Sequence, residues 1–387
     1  MGYCAVILCN CHVIACRERA APPEPLKDTT TNDDAHLLQE NPLTHQPDTH
    51  NPPAAPTGQP GRLAPWRRRK IPGHARPIVR RWVWVLVVGA CVLGAFAASA
   101  QASSFTPGRL GDLDYHLFVP SAHDGSRVLP LVVYLHGCGQ TAPDAAVGTR
   151  WNQQAEDEGF LVLYPEQSPA RSSGRCWNWQ SAANQARDGG EAKLIADATR
   201  DVITRYGVDA RRVFVIGASA GGAMTQVMAA TYPDVYAAGA NLGGCGYATC
   251  LDVFGLLAYR AMGPRARPVP LLAAGGTRDP LPLLGVATAV QQWLRTSDFA
   301  DDGTANGSIS HAPASTVTRP ATSDSYAYTT DVYDDRRGDE LVQFITVHGA
   351  GHVYLGGDPA GSFTDPKGPA YTPAVWAFFS RHPMPTS

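Results

Sequence analysis

Residues 213–222 constrain the fold more than any other stretch, because they join a strand signal, a tight turn and a serine. The sequence there is Val-Phe-Val-Ile-Gly-Ala-Ser-Ala-Gly-Gly. The apolar, mostly β-branched start predicts a buried strand, and the Ala- and Met-rich residues 223–230 predict a helix. A serine between such a strand and helix lies on a strained turn that holds its hydroxyl clear of the sheet. We therefore interpret Ser219 as a candidate nucleophile rather than a residue of an ordinary Gly/Ser turn.

Composition divides the chain into three regions. Residues 1–79 are rich in Pro, Asn, Thr and Arg without an apolar period, which predicts a disordered extension or one that is not translated, with Val79 as a candidate start. Residues 80–102 have the order of a secretory signal peptide: basic residues, an apolar core and small residues. A retained membrane anchor over residues 82–100 is the alternative. The composition of residues 103–387 predicts one globular domain.

The cysteines and charges of residues 103–387 fit an exported protein. Their four cysteines allow three pairings, of which we favour Cys138–Cys176 and Cys245–Cys250, with buried free thiols as the alternative. No Cys/His cluster has zinc-ligand spacing, so we expect no metal. The region carries 21 Lys and Arg against 27 Asp and Glu, a net charge of −6, which argues against a nucleic-acid partner. Membrane association is expected only if the apolar segment is retained.

Short apolar segments alternate with helical periodicity throughout residues 103–387. This pattern predicts a mostly parallel sheet with helices on both faces. The polar residues 298–322 predict a surface loop or insertion. Strands are expected at residues 113–119, 130–135, 160–164, 213–216, 236–241, 269–274, 325–333 and 340–347, and helices at 152–159, 191–206, 283–294 and 372–379.

An acid for a serine nucleophile is expected after a strand that follows the serine. Asp279 lies directly beyond the strand at residues 269–274, so it is our candidate, although an aspartate before proline is also common as a turn residue. The competing carboxylates belong to the polar region that follows and are Asp298, Asp301 and Asp302.

Two histidines compete as the general base. His348 ends the last predicted strand, and His352 follows it in a Gly-rich loop, where reach and mobility favour a base. We choose His352 and place His382 on the surface. An oxyanion hole also needs two backbone N–H groups, one from the residue after the nucleophile, which is Ala220. We assign the other to Cys138, in the loop after an early strand.

Several motifs together resemble the poly(3-hydroxybutyrate) depolymerase family of esterases, to which feruloyl and acetylxylan esterases are related. They are Leu-His-Gly-Cys-Gly-Gln-Thr at 135–141, Cys-Trp-Asn-Trp at 176–179, Gly-Ala-Ser-Ala-Gly-Gly-Ala-Met at 217–224, Tyr-Pro-Asp-Val-Tyr at 232–236 and Gly-Ala-Gly-His at 349–352. The resemblance implies an α/β-hydrolase fold, secretion and cleavage of carboxylic esters without a cofactor. It also implies a triad of Ser219, Asp279 and His352.

By the same resemblance, Trp177 and Trp179 lie in a segment that lines the substrate cleft, with core packing as the alternative. The residues after Asp279 are Pro-Leu-Pro, which departs from the family pattern and affects the expected cleft shape. Because no linker or polymer-binding domain follows the globular region, we expect a soluble oligomer or small ester rather than insoluble polymer. The alternatives are a feruloyl or acetylxylan esterase, a serine peptidase of the same fold, and a non-catalytic exported binding module.

Overall fold

The computed structural model describes residues 102–280 and 283–386. All of them belong to one compact unit, Trp82–Ser387. The predicted extension 1–79, and the predicted signal segment 80–102 apart from its last residue, lie outside the described residues. Within the described ranges, no helix is long and apolar enough to cross a membrane.

A ten-stranded sheet forms the centre of the fold, in the order β1-β2-β4-β3-β5-β6-β7-β10-β9-β8. The strands from β4 to β10 in this order run parallel, as the sequence predicts, while β2 and β1 at one edge and β9 and β8 at the other pair antiparallel. The strands are β1 (Ser104–Leu110), β2 (Leu113–Val119), β3 (Leu131–Leu135), β4 (Leu161–Glu166), β5 (Val213–Ala218), β6 (Ala238–Leu242), β7 (Leu271–Gly276), β8 (Ser315–Arg319), β9 (Tyr328–Asp334) and β10 (Glu340–Val347). A separate pair consists of β11 (Tyr354–Leu355) and β12 (Thr364–Asp365).

Helices cover both faces of the sheet. They are α1 (Ala142–Thr149), α2 (Trp151–Glu158), α3 (Gly190–Tyr206), α4 (Ala220–Thr231), α5 (Leu256–Met262), α6 (Leu283–Asp302) and α7 (Tyr371–Arg381). One apolar cluster joins the sheet to α3, α4, α5 and α6, and a second joins it to α1, α2 and α7. Val213 and Val215 of β5 belong to the first cluster, and Phe214 and Ile216 to the second, because successive side chains of a strand point to opposite faces.

The region predicted as a polar loop at residues 298–322 is partly regular, so this prediction was wrong in two places. Helix α6 continues to Asp302, and residues 315–319 form the edge strand β8. All five residues of β8 are exposed, so this strand lacks the alternation of apolar and polar residues on which strand prediction depends. Strand β1 was missed for the same reason, since it too is largely exposed.

Candidate active site

Ser219 lies on the sharp turn between β5 and α4. Its backbone has φ 57° and ψ −120°, a conformation that residues other than glycine rarely adopt. The Ser219 N–H donates to the carbonyl of Leu242 at the end of β6 (2.8 Å), which ties the turn to the neighbouring strand. Residues with a strained backbone of this kind are enriched at functional sites, so the geometry supports a functional role for Ser219.

Two glycines make this turn possible because backbone atoms pass close to their α-carbons. A Cβ atom at Gly217 would lie 2.3 Å from the carbonyl group of Gly221. A Cβ atom at Gly221 would lie 1.9 Å from the Leu135 carbonyl oxygen, at the end of β3. Any side chain at either position would therefore force the strand and the helix apart at the candidate nucleophile.

Asp279 and His352 form a hydrogen-bonded pair at the same edge of the sheet. Asp279 follows β7 and His352 follows β10, and these two strands pair in parallel, so their carboxyl ends meet. The distance between His352 Nδ1 and Asp279 Oδ2 is 2.7 Å. The carboxylate side chain is 4% exposed and the imidazole 24%. The carboxylate can therefore orient a ring that remains accessible from the cavity.

The space for this imidazole depends on Gly243, the residue after β6. Its φ is 70°, and a Cβ atom there would lie 3.1 Å from Cε1 of His352 and 3.7 Å from Oδ2 of Asp279. A side chain would be both strained and crowded against the pair. Gly243 thus belongs to the site, although no sequence pattern indicated it.

The competing residues make other contacts. His348 is exposed, and its Nε2 lies 2.9 Å from the Thr329 hydroxyl. The ring nitrogens of His382 lie near the Phe378 and Glu340 carbonyl oxygens, at 2.7 and 2.9 Å. The Asp298 carboxylate accepts from backbone N–H groups in the turn after α6, and Asp301 and Asp302 bond within the same turn.

The loop at residues 136–140 lies against the turn that carries Ser219, since a Cβ atom at Gly137 would be 3.6 Å from the Cβ of Ser219. The Gly137 N–H donates to the Gln140 side chain and the Gly139 N–H to the Gly174 carbonyl, at 2.9 and 2.8 Å. Among the residues that the structure describes, the N–H groups of Cys138 and Ala220 have no acceptor. Cys138 lines the cavity at Ser219 and Ala220 directly follows Ser219, so their assignment to an oxyanion hole stays a prediction.

Disulfides join Cys138 to Cys176 and Cys245 to Cys250. The first ties the loop of Cys138 to the segment at residues 176–179. That segment is held in turn by the buried Glu191 carboxylate, which accepts from the backbone N–H of Asn178 (2.8 Å) and from its side-chain amide (2.7 Å).

The structure places Trp177 in the core instead of the substrate cleft. Its side chain is 1% exposed, and its indole N–H donates to the His136 carbonyl at 3.1 Å. Trp179 is partly buried and packs against the same core cluster. Neither residue lines the cavity at Ser219. The Cys-Trp-Asn-Trp motif therefore stabilises the loop of Cys138. The buried indole N–H of Trp177 needs an acceptor, and the His136 carbonyl of that loop provides it.

His136 is a buried neutral imidazole beneath the same loop. The Gln167 backbone N–H donates to its Nε2 at 3.0 Å, which leaves Nδ1 as the protonated nitrogen that donates to the Gly137 carbonyl at 2.8 Å. Burial lowers the pKa of His136 because the charged ring would lose its hydration. Protonation of Nε2 would also break the bond from Gln167.

We expect His136 to make the protein less stable in mild acid. Between the lowered pKa of the folded protein and the unfolded value of about 6.5, the unfolded chain binds a proton that the folded chain does not. The free energy of unfolding should therefore fall as the pH falls below about 6.5 and level off below the folded pKa. Urea unfolding between about pH 7.5 and 5 measures this for the wild type and His136→Gln. The slope should be shallower in the variant, and equal slopes would contradict the assignment.

Ser219 and the Asp279–His352 pair line one cavity of about 250 Å³. Its wall includes residues that the sequence analysis missed, namely Tyr134, Gln140, Thr149, Leu242, Tyr354, Ser362, Phe363 and Tyr371. Tyr134, Gln140 and Tyr354 lie within or beside the predicted motifs, whereas Ser362, Phe363 and Tyr371 lie ten or more residues beyond the last motif, where no local pattern could place them. The sequence signal for Phe363 was that it is the only phenylalanine in the Gly- and Pro-rich residues 356–370.

Residues 113–295 match the family model described as esterase PHB depolymerase. The resemblance that the motifs predict is therefore confirmed over this part of the chain. A poly(3-hydroxyalkanoate) depolymerase C from Paucimonas lemoignei is 31% identical over 266 residues, which cover 66% of this chain and 61% of that protein. An acetylxylan esterase from Coprinopsis cinerea is 34% identical over 245 residues, covering 57% and 61%. A feruloyl esterase B from Neurospora crassa is 43% identical over 119 residues, covering 30% and 40%.

The chain thus spans about three fifths or less of the length of these relatives. The architecture is also similar to that of a solved structure, the acetyl xylan esterase from Aspergillus awamori. The TM-score is 0.57 at 24% identity, and the match covers 72% of this chain and 99% of that one. The fold is accordingly the α/β-hydrolase fold that the sequence predicts, here with antiparallel strands at both edges of the parallel sheet.

Proposed function

We propose that the protein hydrolyses carboxylic esters through a serine acyl-enzyme. The observation that carries this proposal is the meeting of Ser219, on its strained turn, with the Asp279–His352 pair in one cavity. A nucleophile, a base and a residue that orients the base are the parts that this chemistry needs. A binding module would need none of the three in this arrangement.

The contact between His352 and Asp279 supports the following roles. Nδ1 of His352 faces the Asp279 carboxylate and donates to it, so Nε2 is left to accept the Ser219 proton. The Ser219 oxygen then attacks the ester carbonyl, and the N–H groups of Cys138 and Ala220 stabilise the oxyanion. His352 returns the proton to the leaving alkoxide. A water that gives its proton to the same nitrogen then releases the acid and regenerates Ser219.

For the substrate, we propose esters of 3-hydroxyalkanoates, polymeric or oligomeric. The support is the family match and the long alignment with the Paucimonas lemoignei depolymerase. Esters of plant polysaccharide are the second candidate, because acetylxylan and feruloyl esterases are similar to the same region. We also propose that the protein is exported, since two disulfides favour an oxidising compartment.

The experiment compares four substrates with purified protein: p-nitrophenyl butyrate, a 3-hydroxybutyrate oligomer, acetylated xylan and ethyl ferulate. A fluorophosphonate probe measures labelling of Ser219 in parallel. Highest kcat/KM on the hydroxybutyrate oligomer supports the proposed substrate. Preference for acetylated xylan or ferulate would keep the esterase and replace that substrate. Absence of both turnover and labelling would reject the esterase and favour the binding module.

A further inference from the structure

An exposed phenylalanine in the cavity wall takes no part in the reaction described above. Phe363 is 62% exposed and lines the cavity of Ser219. Its φ is 56°, in the left-handed region that bulky L-residues avoid. Core packing does not explain either property, because the ring is largely in solvent. A strained residue persists where its surroundings enforce the conformation, and such residues concentrate at ligand-binding sites.

The backbone at Phe363 is held on both sides. Its carbonyl accepts from the Tyr354 N–H at 2.8 Å, which belongs to the pairing of β11 with β12. On the other side, the Ser362 N–H donates to Oδ1 of Asp144 in α1 at 3.0 Å, and the Ser362 hydroxyl donates to the same carboxylate. Both sets of bonds keep the ring at the cavity rather than against the core.

The segment that carries Phe363 also lies tightly on α1. A Cβ atom at Gly361 would be 2.3 Å from the Cα of Gly148 in that helix. The Asp358 N–H donates to the Gly148 carbonyl at 2.8 Å, and the Thr364 hydroxyl donates to the Asp358 carbonyl at 2.8 Å. This backbone contact makes the segment a fixed wall of the cavity.

The same segment is bonded to the loop of the proposed oxyanion hole. The Gln140 side chain accepts from the Gly137 N–H at 2.9 Å and donates to the Ser362 carbonyl at 3.2 Å. It also donates to the Asp144 carboxylate at 3.1 Å. These bonds fix the position of Phe363 relative to the N–H of Cys138, and so relative to the carbonyl group of a bound ester.

We propose that Phe363 determines specificity by apolar contact with an alkyl or aryl substituent of the ester. The inference rests on the proposed function. An ester with such a substituent removes the exposed ring from water when it binds, whereas a minimal ester does not. The substituent can belong to the acyl or to the alcohol side, and the experiment varies each separately.

The test measures kcat and KM for the wild type, Phe363→Ala, Phe363→Leu and the control Phe254→Ala. Phe254 is 73% exposed and lies outside the cavity wall. One series varies the acyl group as p-nitrophenyl acetate, butyrate and hexanoate, and another varies the alcohol as methyl, butyl and benzyl acetate. In the series whose varied group contacts Phe363, either the acyl or the alcohol series, Phe363→Ala should lower kcat/KM for the larger esters on the order of tenfold, mainly by raising KM. For the smallest ester of that series, kcat/KM should fall less than threefold.

Phe363→Leu should restore only part of the loss for alkyl substituents, because leucine returns an apolar contact of shorter reach, so it should still differ from the wild type. It also carries the test if Phe363→Ala does not fold, which thermal melting shows. An equal loss on every ester, or a profile shared with Phe254→Ala, would overturn the inference. If the wild type hydrolyses esters and both Phe363 variants match it, the inference fails and the proposed function stands. If the wild type hydrolyses no ester, both fail.

Discussion

Replacing Ser219 with alanine is expected to lower kcat for ester hydrolysis by at least about 10⁴-fold. The variant keeps the Cβ and the strained backbone but loses the hydroxyl that attacks the carbonyl. The Asp279–His352 pair and the proposed oxyanion donors stay in place, so the fold and the cavity should persist. Steady-state kinetics with p-nitrophenyl butyrate measures the loss, and Ser310→Ala serves as control because Ser310 is exposed and outside the cavity.

A Ser219→Ala variant that keeps more than about a tenth of the wild-type kcat would exclude Ser219 as the nucleophile, because removal of a nucleophile costs far more. Labelling by the fluorophosphonate probe should disappear in the same variant and remain in Ser310→Ala. Labelling that persists in Ser219→Ala would place the reactive group elsewhere in the chain.

A second substitution at this position separates strain from chemistry. Ser219→Gly should be as inactive as Ser219→Ala, but glycine adopts φ 57° without a steric penalty. Strain at such a residue costs about 1–3 kcal/mol, and glycine relieves it. Part of the resulting gain in stability is lost again, because glycine also raises the entropy of the unfolded chain. We expect Ser219→Gly to unfold with a free energy about 1 kcal/mol higher than that of Ser219→Ala. A more stable alanine variant would contradict the assignment of strain to this turn.

The residues of the candidate reaction could be predicted because their signals are local. Ser219 lies between a strand and a helix that contiguous residues specify, and two glycines permit the close approach of their backbones. Asp279 and His352 each follow an apolar strand, and parallel pairing of β7 with β10 brings two such ends together. Strand order could not be derived from the sequence, yet any parallel arrangement places these ends on one edge of the sheet.

The part of the cavity wall around Phe363 could not be predicted, because it depends on contacts between distant parts of the chain. Phe363 is positioned through Ser362 and Asp144, which are 218 residues apart. The environment of Trp177 also depends on a partner from a distant part of the chain. Its indole could face a cleft or a core, and the deciding partner is the His136 carbonyl, on another strand's end. Apolar character alone does not distinguish these environments, since aromatic residues occur in both.

Replacing Asp279 with asparagine is expected to lower kcat by about 10⁴-fold while leaving the fold intact. The Asp279 carboxylate accepts a hydrogen bond from Nδ1 of His352, so the ring keeps an unprotonated Nε2 toward the cavity. An asparagine amide group can instead donate to Nδ1, which moves the ring proton to Nε2. That nitrogen could then no longer accept the Ser219 proton, although every atom of the site occupies nearly the same place.

Asp298→Asn is the matched control, because Asp298 was a competing candidate in the sequence and has the same chemistry. Its carboxylate accepts from the Gly307 N–H (3.0 Å), the Ser308 hydroxyl (2.8 Å) and the Ile309 N–H (3.1 Å). Asparagine there should weaken the turn after α6 and lower the melting temperature, since its NH₂ group replaces one of the two acceptor oxygens. The kcat of the folded variant should remain within about threefold of the wild type.

The two variants together decide which carboxylate orients the base, because each exchanges one carboxylate for an amide of nearly the same shape. Low kcat in Asp279→Asn with unchanged melting, and the reverse pattern in Asp298→Asn, is the expected result. Loss of kcat in both, in proportion to loss of folded protein, would mean that Asp279 acts through stability alone. In that case the 2.7 Å contact with His352 would be a structural hydrogen bond, and the proton transfer from Ser219 would need another arrangement.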